Sequence, residues 1–136
     1  MVEVTTVYEG SLRCRATHGP SGQSIITDAP IDNHGKGEAF SPTDLVAAAL
    51  GSCMLTIMGI AATRHGIALE GASAQTVKEM TTAGTRRVAS LRTVLTIPLP
   101  RDHPKRELLE NCAWTCPVHK SLSAEVDAPI EFRWVG

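Results

Sequence analysis

The chain has 136 residues and a formal net charge of −1, with 13 basic and 14 acidic residues interspersed along it. This length favours one domain, residues 1–136, and the lack of a block of like charge disfavours an arm for nucleic acid or an anionic membrane. Aromatic residues make up only 4% of the chain, which also disfavours a base-stacking surface for nucleic acid.

The first part of the chain has the alternation of apolar and polar residues that is typical of β-strands. Residues 2–8 and 11–17 alternate in this way, and Glu9-Gly10 between them predicts a hairpin turn. Residues 23–27, QSIIT, predict a third short strand. No basic region followed by an apolar core begins the chain, so we expect no secretory signal and a cytoplasmic location.

A loop over residues 27–41, rich in Gly, Pro, Asp and Asn, leads into a long helix. Ser41 is the predicted N-cap, and Asp44, three residues later, completes a capping box in which Asp replaces the usual Glu or Gln. Gly66 predicts that the helix ends near His65.

Residues 45–62 of this helix, LVAAALGSCMLTIMGIAA, carry no charge and reach the length of about 18 residues that flags a membrane span. We expect no membrane association, because the run is rich in small residues and has no Trp or Tyr belt. A helix that is apolar all round is buried all round, and so small a domain would leave part of it exposed. Since large exposed apolar patches mark interfaces, an obligate homodimer is predicted. The small residues that would let a second helix approach are Ala47, Ala48, Gly51 and Gly59.

Two further strands and a short helix are predicted after the long helix. Residues 71–100 predict two strands joined by a turn at Ala83-Gly84. Residues 102–114 predict an amphipathic helix with Leu108, Leu109 and Cys112 on one side.

The end of the chain predicts one more helix and one more strand. Pro117 is expected to begin a short helix that runs to Leu122. The final strand places Ile130, Phe132 and Trp134 on one face. Because strands and helices are segregated along the chain, the pattern predicts an α+β fold with antiparallel sheet.

Four cysteines occur, at positions 14, 53, 112 and 116. In a reducing cytoplasm such residues are more often free, catalytic or metal-bound than paired in structural disulfides. Cys14 alternates with Leu12 and Ala16, which predicts a core position. Cys53 lies on an apolar helical stripe, the usual environment of a buried free cysteine. The other members of that stripe are Val46, Ala49, Leu50, Ile57 and Ile60.

Cys116 directly precedes Pro117 at a predicted helix N-terminus. The partial positive charge and free N–H groups there favour a thiolate, so Cys116 is either a poised thiol or a small buried residue before a turn. Cys112, Cys116 and His119 form a C-x3-C-x2-H pattern, which is a poor zinc spacing, and no metal site is predicted.

The segments SPTDLVAAALGSCMLTIMGI and CPVHKSLS together resemble the OsmC/Ohr family, the osmotically inducible and organic-hydroperoxide-resistance proteins, in a divergent branch. The resemblance spans most of the chain. It implies an OsmC-like α+β fold in which antiparallel sheets wrap around a long central helix. It also implies an intertwined homodimer, with each thiol site near the subunit boundary.

The resemblance further implies a thiol-dependent peroxidase for organic hydroperoxides. In that reading Cys53 attacks the peroxide, Cys116 resolves the product as a disulfide, and an external dithiol reduces it without metal or organic cofactor. The alternative from a different class is a small-molecule-binding or redox-sensing protein with little or no peroxidase activity.

The sequence departs from the family pattern at two supporting positions. The glutamate expected after the helix-opening proline is Thr43 here, with a carboxylate one residue later at Asp44. At about 100° per residue, Thr43 lies about 80° and Asp44 about 180° round the helix from Cys53, so Asp44 is expected to cap the helix instead. The family arginine has no counterpart in its usual loop, which leaves Arg13 and Arg15 as possible substitutes.

Overall fold

The computed structural model describes all 136 residues and contains two three-stranded sheets and three α-helices. The predicted α+β class is confirmed. In chain order the elements are β1 (Val4–Gly10), β2 (Arg13–His18), β3 (Ser24–Asp28), a short 3-10 helix (Ile31–Asn33), α1 (Pro42–Arg64), β4 (Ser73–Met80), β5 (Val88–Ile97), α2 (Arg106–Trp114), α3 (Pro117–Ser121) and β6 (Ile130–Trp134).

Two compact units make up the chain, residues 1–46 and residues 47–136. The N-terminal unit holds the first sheet, an antiparallel meander of order β1-β2-β3. The C-terminal unit holds the second sheet, of order β4-β5-β6, together with α2, α3 and most of α1.

The first hairpin turns two residues later than predicted. Strand β1 continues through Gly10, and the turn residues are Ser11 and Leu12, with φ of 54° and 62°. A register shift between Tyr8 and Gly10 absorbs the extra residue, and Gly10 there takes a φ of 87°, which glycine adopts without strain. The predicted turn glycine therefore serves a bulge inside the strand.

The N-terminal unit buries no apolar side chain of its own. Its buried residues are the polar Thr27, Asp28 and Ser41. Cys14, expected in a core, is only half-buried. The large apolar side chains that this unit exposes include Val4, Val7, Tyr8, Ile25, Ile26 and Phe40.

Helix α1 begins with the predicted capping box. The backbone N–H of Ser41 donates to Asp44 Oδ2 at 2.9 Å, and the N–H of Asp44 donates to Ser41 Oγ at 3.1 Å. The helix ends at Arg64, and Gly66 follows with a φ of 64°, as its C-terminal signal predicted.

The buried face of α1 differs from the predicted stripe. Of that stripe only Leu50 is buried, and the side chain of Ile60 is 47% exposed. Because apolar residues surround the helix, its periodicity does not select the side that packs. The residues that are buried are Leu50, Gly51, Met54, Met58 and Ala62.

The opposite side of α1 is apolar or small and uncovered, at Ala48, Ala49, Ser52, Thr56 and Ile60. The helix is long and apolar enough to cross a membrane, with 28% of its most apolar window buried within the chain. Core helices of soluble proteins can be equally long and apolar.

Strand β6 pairs with β5 in parallel, which differs from the purely antiparallel expectation. Helices α2 and α3 lie between the two strands in sequence and carry the chain back to the starting end of β5, so the pairing becomes parallel. Strands β4 and β5 form the predicted antiparallel hairpin, with Gly84 in its loop. The buried apolar side chains of these elements are Leu91, Leu95, Ile97, Leu109 and Ala113.

Gly51 packs α1 closely against β4. A Cβ placed on Gly51 would lie 3.2 Å from Ala74 Cβ and 3.4 Å from Thr76 Oγ1. The expectation that Gly51 receives a second helix is therefore wrong, whereas a Cβ on Gly59 would have no atom within 4 Å. Helix α2 also differs slightly from expectation, because Leu108 is 38% exposed.

Candidate functional site

Two cysteine thiols meet in the C-terminal unit. Cys53 lies in the middle of α1, and Cys116 is the N-cap of α3. Both are free, and Cys53 lies close enough to Cys116 to raise the pKa of its thiol. Cys53 is half-buried and Cys116 is fully buried, so the two sulfur atoms differ in their access to a reactant.

Cys116 has the local geometry that the sequence predicted. Its backbone is extended, Pro117 is the first helical residue, and Sγ accepts the N–H of His119 at 3.4 Å. Short α3 therefore begins with a sulfur atom as its capping group.

Burial, however, outweighs the helix N-terminus at this thiol. Loss of water raises the pKa of Cys116, and the neighbouring Cys53 raises it further. The backbone N–H groups of His119 and Val118 act in the opposite direction, and their combined effect is smaller. Burial therefore argues against an acidic Cys116 thiol and favours the buried-residue alternative, while the role of Cys116 in catalysis stays a prediction.

Aromatic rings hold α3 in place. The ring of His119 lies with Nε2 3.1 Å from the carbonyl oxygen of Ala128, which assigns the proton to Nε2. The same ring meets Trp114 edge-on at 5.6 Å, and Trp114 lies 6.5 Å from Phe132. A five-residue helix is unstable alone, so these contacts position Cys116. The sequence analysis did not predict these contacts. The position of His119, three residues after Cys116 and in the same short helix, was the one signal that its ring could help to hold Cys116 in place.

Cys112 does not join a metal-binding group. It is half-buried in α2, and loss of water raises the pKa of its thiol. The structure contains no group of three or more His, Cys, Asp or Glu side chains that could hold a metal ion.

Arg13 forms an ion-pair cluster inside the N-terminal unit. Its guanidinium pairs with Glu38 and lies 3.5 Å from Asp28, whose Oδ2 accepts the N–H of Glu38 at 3.0 Å. That N–H is the main cause that lowers the pKa of Asp28, and Glu38 is the main cause that raises the pKa of Arg13. Oδ1 of Asp28 is buried without a hydrogen-bond partner. The charge of Arg13 is thus balanced by two carboxylates.

The other possible supporting residues are also engaged within the N-terminal unit. Arg15 pairs with Glu9 at 3.2 Å. The hydroxyl of Thr43 lies 3.3 Å from that of Ser41, and Asp44 caps α1. The structure therefore brings together the two cysteines, while all four possible supporting residues have partners in residues 1–46.

The chain is similar to known proteins over most of its length. The family model described as OsmC-like protein matches residues 35–131. A crystal structure from Psychrobacter arcticus is 43% identical, with a TM-score of 0.91 over 98% of this chain and 96% of that one. That protein's assigned role, osmotic stress induction and detoxification response, is itself provisional.

More distant structures share the fold. An OsmC-like protein from Mycoplasma pneumoniae is 16% identical, with a TM-score of 0.83 over 100% of this chain and 98% of that one. The organic hydroperoxide resistance protein OhrB of Bacillus subtilis is 18% identical, with a TM-score of 0.70 over 98% of each chain. No curated protein sequence matches the chain.

Proposed function

The chain belongs to the OsmC-like protein family, and from that premise we propose that it is a thiol-dependent peroxidase that reduces organic hydroperoxides. The observation that carries the proposal is the proximity of a half-buried thiol, Cys53, to a fully buried one, Cys116, whose pKa it raises. The organic hydroperoxide resistance of the Bacillus subtilis relative is the chemistry that we extend to this chain.

Cys53 is the attacking residue in this mechanism, because its thiol is the more accessible of the two. Its thiolate attacks the distal oxygen of the hydroperoxide and the O–O bond breaks. Cys53 becomes a sulfenic acid, and the departing alkoxide takes a proton to become the alcohol. The apolar surroundings of α1 suit an alkyl hydroperoxide better than hydrogen peroxide.

Cys116 is the resolving residue. Its sulfur displaces the hydroxyl of the sulfenic acid, so that a disulfide forms and water leaves. Cys116 gives up its proton as its sulfur attacks, and the departing hydroxide takes up a proton to leave as water. An external dithiol then reduces the disulfide and becomes a disulfide itself, with no metal or organic cofactor.

We also propose that the protein is a cytoplasmic homodimer. The uncovered side of α1 and the exposed apolar side chains of the first sheet support a second copy as their cover. Sedimentation equilibrium at micromolar concentration tests this, and a folded monomer would contradict it.

A binding or redox-sensing protein is the second candidate. Thr43 stands where the family glutamate would be, and Arg13 already pairs with Asp28 and Glu38. Under this alternative the apolar dimer pocket holds a small molecule and the thiols react slowly.

Steady-state turnover of cumene hydroperoxide with dithiothreitol tests the enzyme. We expect turnover in the wild type, its loss in Cys53→Ser, and a trapped sulfenic acid in Cys116→Ser. Cys14→Ser is the matched control, because this half-buried cysteine lies in the other unit, and it should retain activity. An inactive wild type, or an active Cys53→Ser, refutes the peroxidase.

Native mass spectrometry of protein purified from cells separates the two candidates. A stoichiometric bound small molecule, together with thiols that resist cumene hydroperoxide, would favour binding. Unliganded protein with a peroxide-induced Cys53–Cys116 disulfide would favour catalysis.

A further inference from the structure

We propose that edge strand β6 carries a separate binding site for a small carboxylate with a planar apolar body. A cavity of about 380 Å³ lies beside this strand, which we call the β6 cavity. Neither cysteine of the thiol pair lines it. Its lining residues are Arg101, Arg106, Phe132, Arg133, Trp134 and Val135.

The aromatic wall of the β6 cavity is held in one orientation. The indole Nε1 of Trp134 donates to Glu110 Oε1 at 2.9 Å, and the guanidinium of Arg106 lies 5.8 Å from the centre of the Trp134 ring. Phe132 lies on the same face of β6 as Trp134. Because the Trp134 ring is already fixed, it loses little conformational freedom when a ligand binds. A planar ligand can stack on this fixed ring, which favours its binding.

The charges of the cavity leave one cation unbalanced. Arg106 bonds to Glu110 at 2.8 Å and Arg133 bonds to Glu131 at 2.7 Å, so a carboxylate neutralises each of these arginines. The guanidinium of Arg101 makes no ion pair, although the same cavity includes it. Of the three arginines in the lining, Arg101 is therefore the one whose guanidinium is available to an anionic ligand.

The size and walls of the cavity narrow the ligand class. Its volume lies within the range of about 300–1,000 Å³ that is typical of small-molecule sites. Inorganic phosphate would leave the walls of Phe132, Trp134 and Val135 uncovered. A carboxylate pairs with the planar fork of arginine through two parallel hydrogen bonds, which leaves the apolar body to lie against the rings.

The indole N–H signal of Trp134 provides a local test. The chain has only two tryptophans, so a Trp114→Phe variant assigns both signals in a 1H–15N spectrum. We expect 2-naphthoate to shift the Trp134 signal saturably, and to leave the Trp114 signal in place. The neutral isostere 2-naphthalenemethanol should bind at least about tenfold more weakly, because it cannot pair with Arg101.

A matched pair of arginine variants tests the role of charge. Arg101→Gln should weaken 2-naphthoate binding by about tenfold in calorimetry, the size expected for one hydrogen bond to a charged group. Arg92→Gln removes the same charge from an exposed position on β5 outside the cavity and should leave the affinity unchanged.

Three results would overturn the proposal. They are an unshifted Trp134 signal at millimolar 2-naphthoate, equal affinity for the neutral alcohol, and equal loss of affinity in the two arginine variants. None of these measurements depends on peroxide turnover, so the proposal stands or falls independently of the thiol chemistry.

Discussion

The two sheets of this molecule are stabilised in different ways. Every fully buried apolar side chain lies in the C-terminal unit, where α1 and α2 supply much of the core with β5. In the N-terminal unit the buried side chains are polar, and ion pairs such as Arg13–Asp28 link its elements. A three-stranded sheet needs a covered apolar face for stability. The contrast indicates that one unit has its own core, while the apolar face of the other requires a cover such as the proposed second copy.

Two truncations of apolar side chains, one in each unit, should show the difference between the units most clearly. Leu95→Ala removes a fully buried side chain from the C-terminal unit and should lower the free energy of unfolding by about 2–5 kcal/mol. Ile25→Ala, at a side chain that is 50% exposed in the first sheet, should chiefly weaken dimerisation. Urea unfolding at several protein concentrations measures both effects. An equal, concentration-independent loss in the two variants would contradict the contrast.

The close packing of α1 on β4 predicts a smaller effect. Gly51→Val should destabilise the C-terminal unit by about 1–3 kcal/mol, because the added atoms meet Ala74 and Thr76. Gly59→Ala is the control for packing within the subunit: its Cβ has no atom of the chain within 4 Å, and alanine favours helix by about 1 kcal/mol over glycine, so a loss of stability there would report the second copy. Thermal unfolding distinguishes them, and a Gly51→Val protein as stable as the wild type would show that this packing is loose.

The ion-pair cluster of the N-terminal unit makes stability depend on pH. Because the pKa of Asp28 is lowered in the folded chain, its stabilisation is present above the ordinary carboxyl pKa and is lost as pH falls through the folded value. Asp28→Asn should therefore lower stability at neutral pH and flatten the acid limb of the stability curve. Glu3→Gln, an exposed carboxylate change on the same unit, serves as control. Parallel acid limbs in wild type and Asp28→Asn would contradict this role.

The smallest expected difference between the units is in the reactivity of their cysteine thiols. Since Cys116 is fully buried and burial raises the pKa of its thiol, iodoacetamide should alkylate it more slowly than the half-buried Cys14. As pH rises, the unfolded chain releases the Cys116 proton first, so the stability contributed by this thiol should fall. Mass spectrometry of alkylated peptides follows each cysteine. Faster reaction at Cys116 than at Cys14 would show that its surroundings are open.

The elements with short-range signals could be predicted from the sequence. The capping box of Ser41 and Asp44, the sulfur cap before Pro117 and the alternation of β6 depend on neighbouring residues, and the structure has all three. The cysteine pairing was expected only because the family resemblance joined two distant segments.

The features that the sequence did not predict depend on contacts between residues far apart in the chain or on the detailed geometry of a turn. Helix α1 is apolar on all sides, so only the packed chain shows that Met54 and Met58 face inward. Gly10, the predicted turn glycine, forms a bulge in β1 instead, and the turn lies at Ser11 and Leu12. The direction of β6 depends on where α2 and α3 return the chain, and the alternation of apolar and polar residues in a strand does not predict its direction.

The parallel pairing of β5 with β6 also has a consequence for the order of folding. The β4–β5 hairpin needs only a short loop to close, whereas Thr93 pairs with Ile130 only after α2 and α3 have crossed over. Closing the longer loop carries a larger entropic penalty, so docking of β6 is expected late in folding. Residues that pack late affect the unfolding rate more than the folding rate. A Phe132→Leu substitution should therefore shorten the lifetime of the native state while the chain still folds at its original speed.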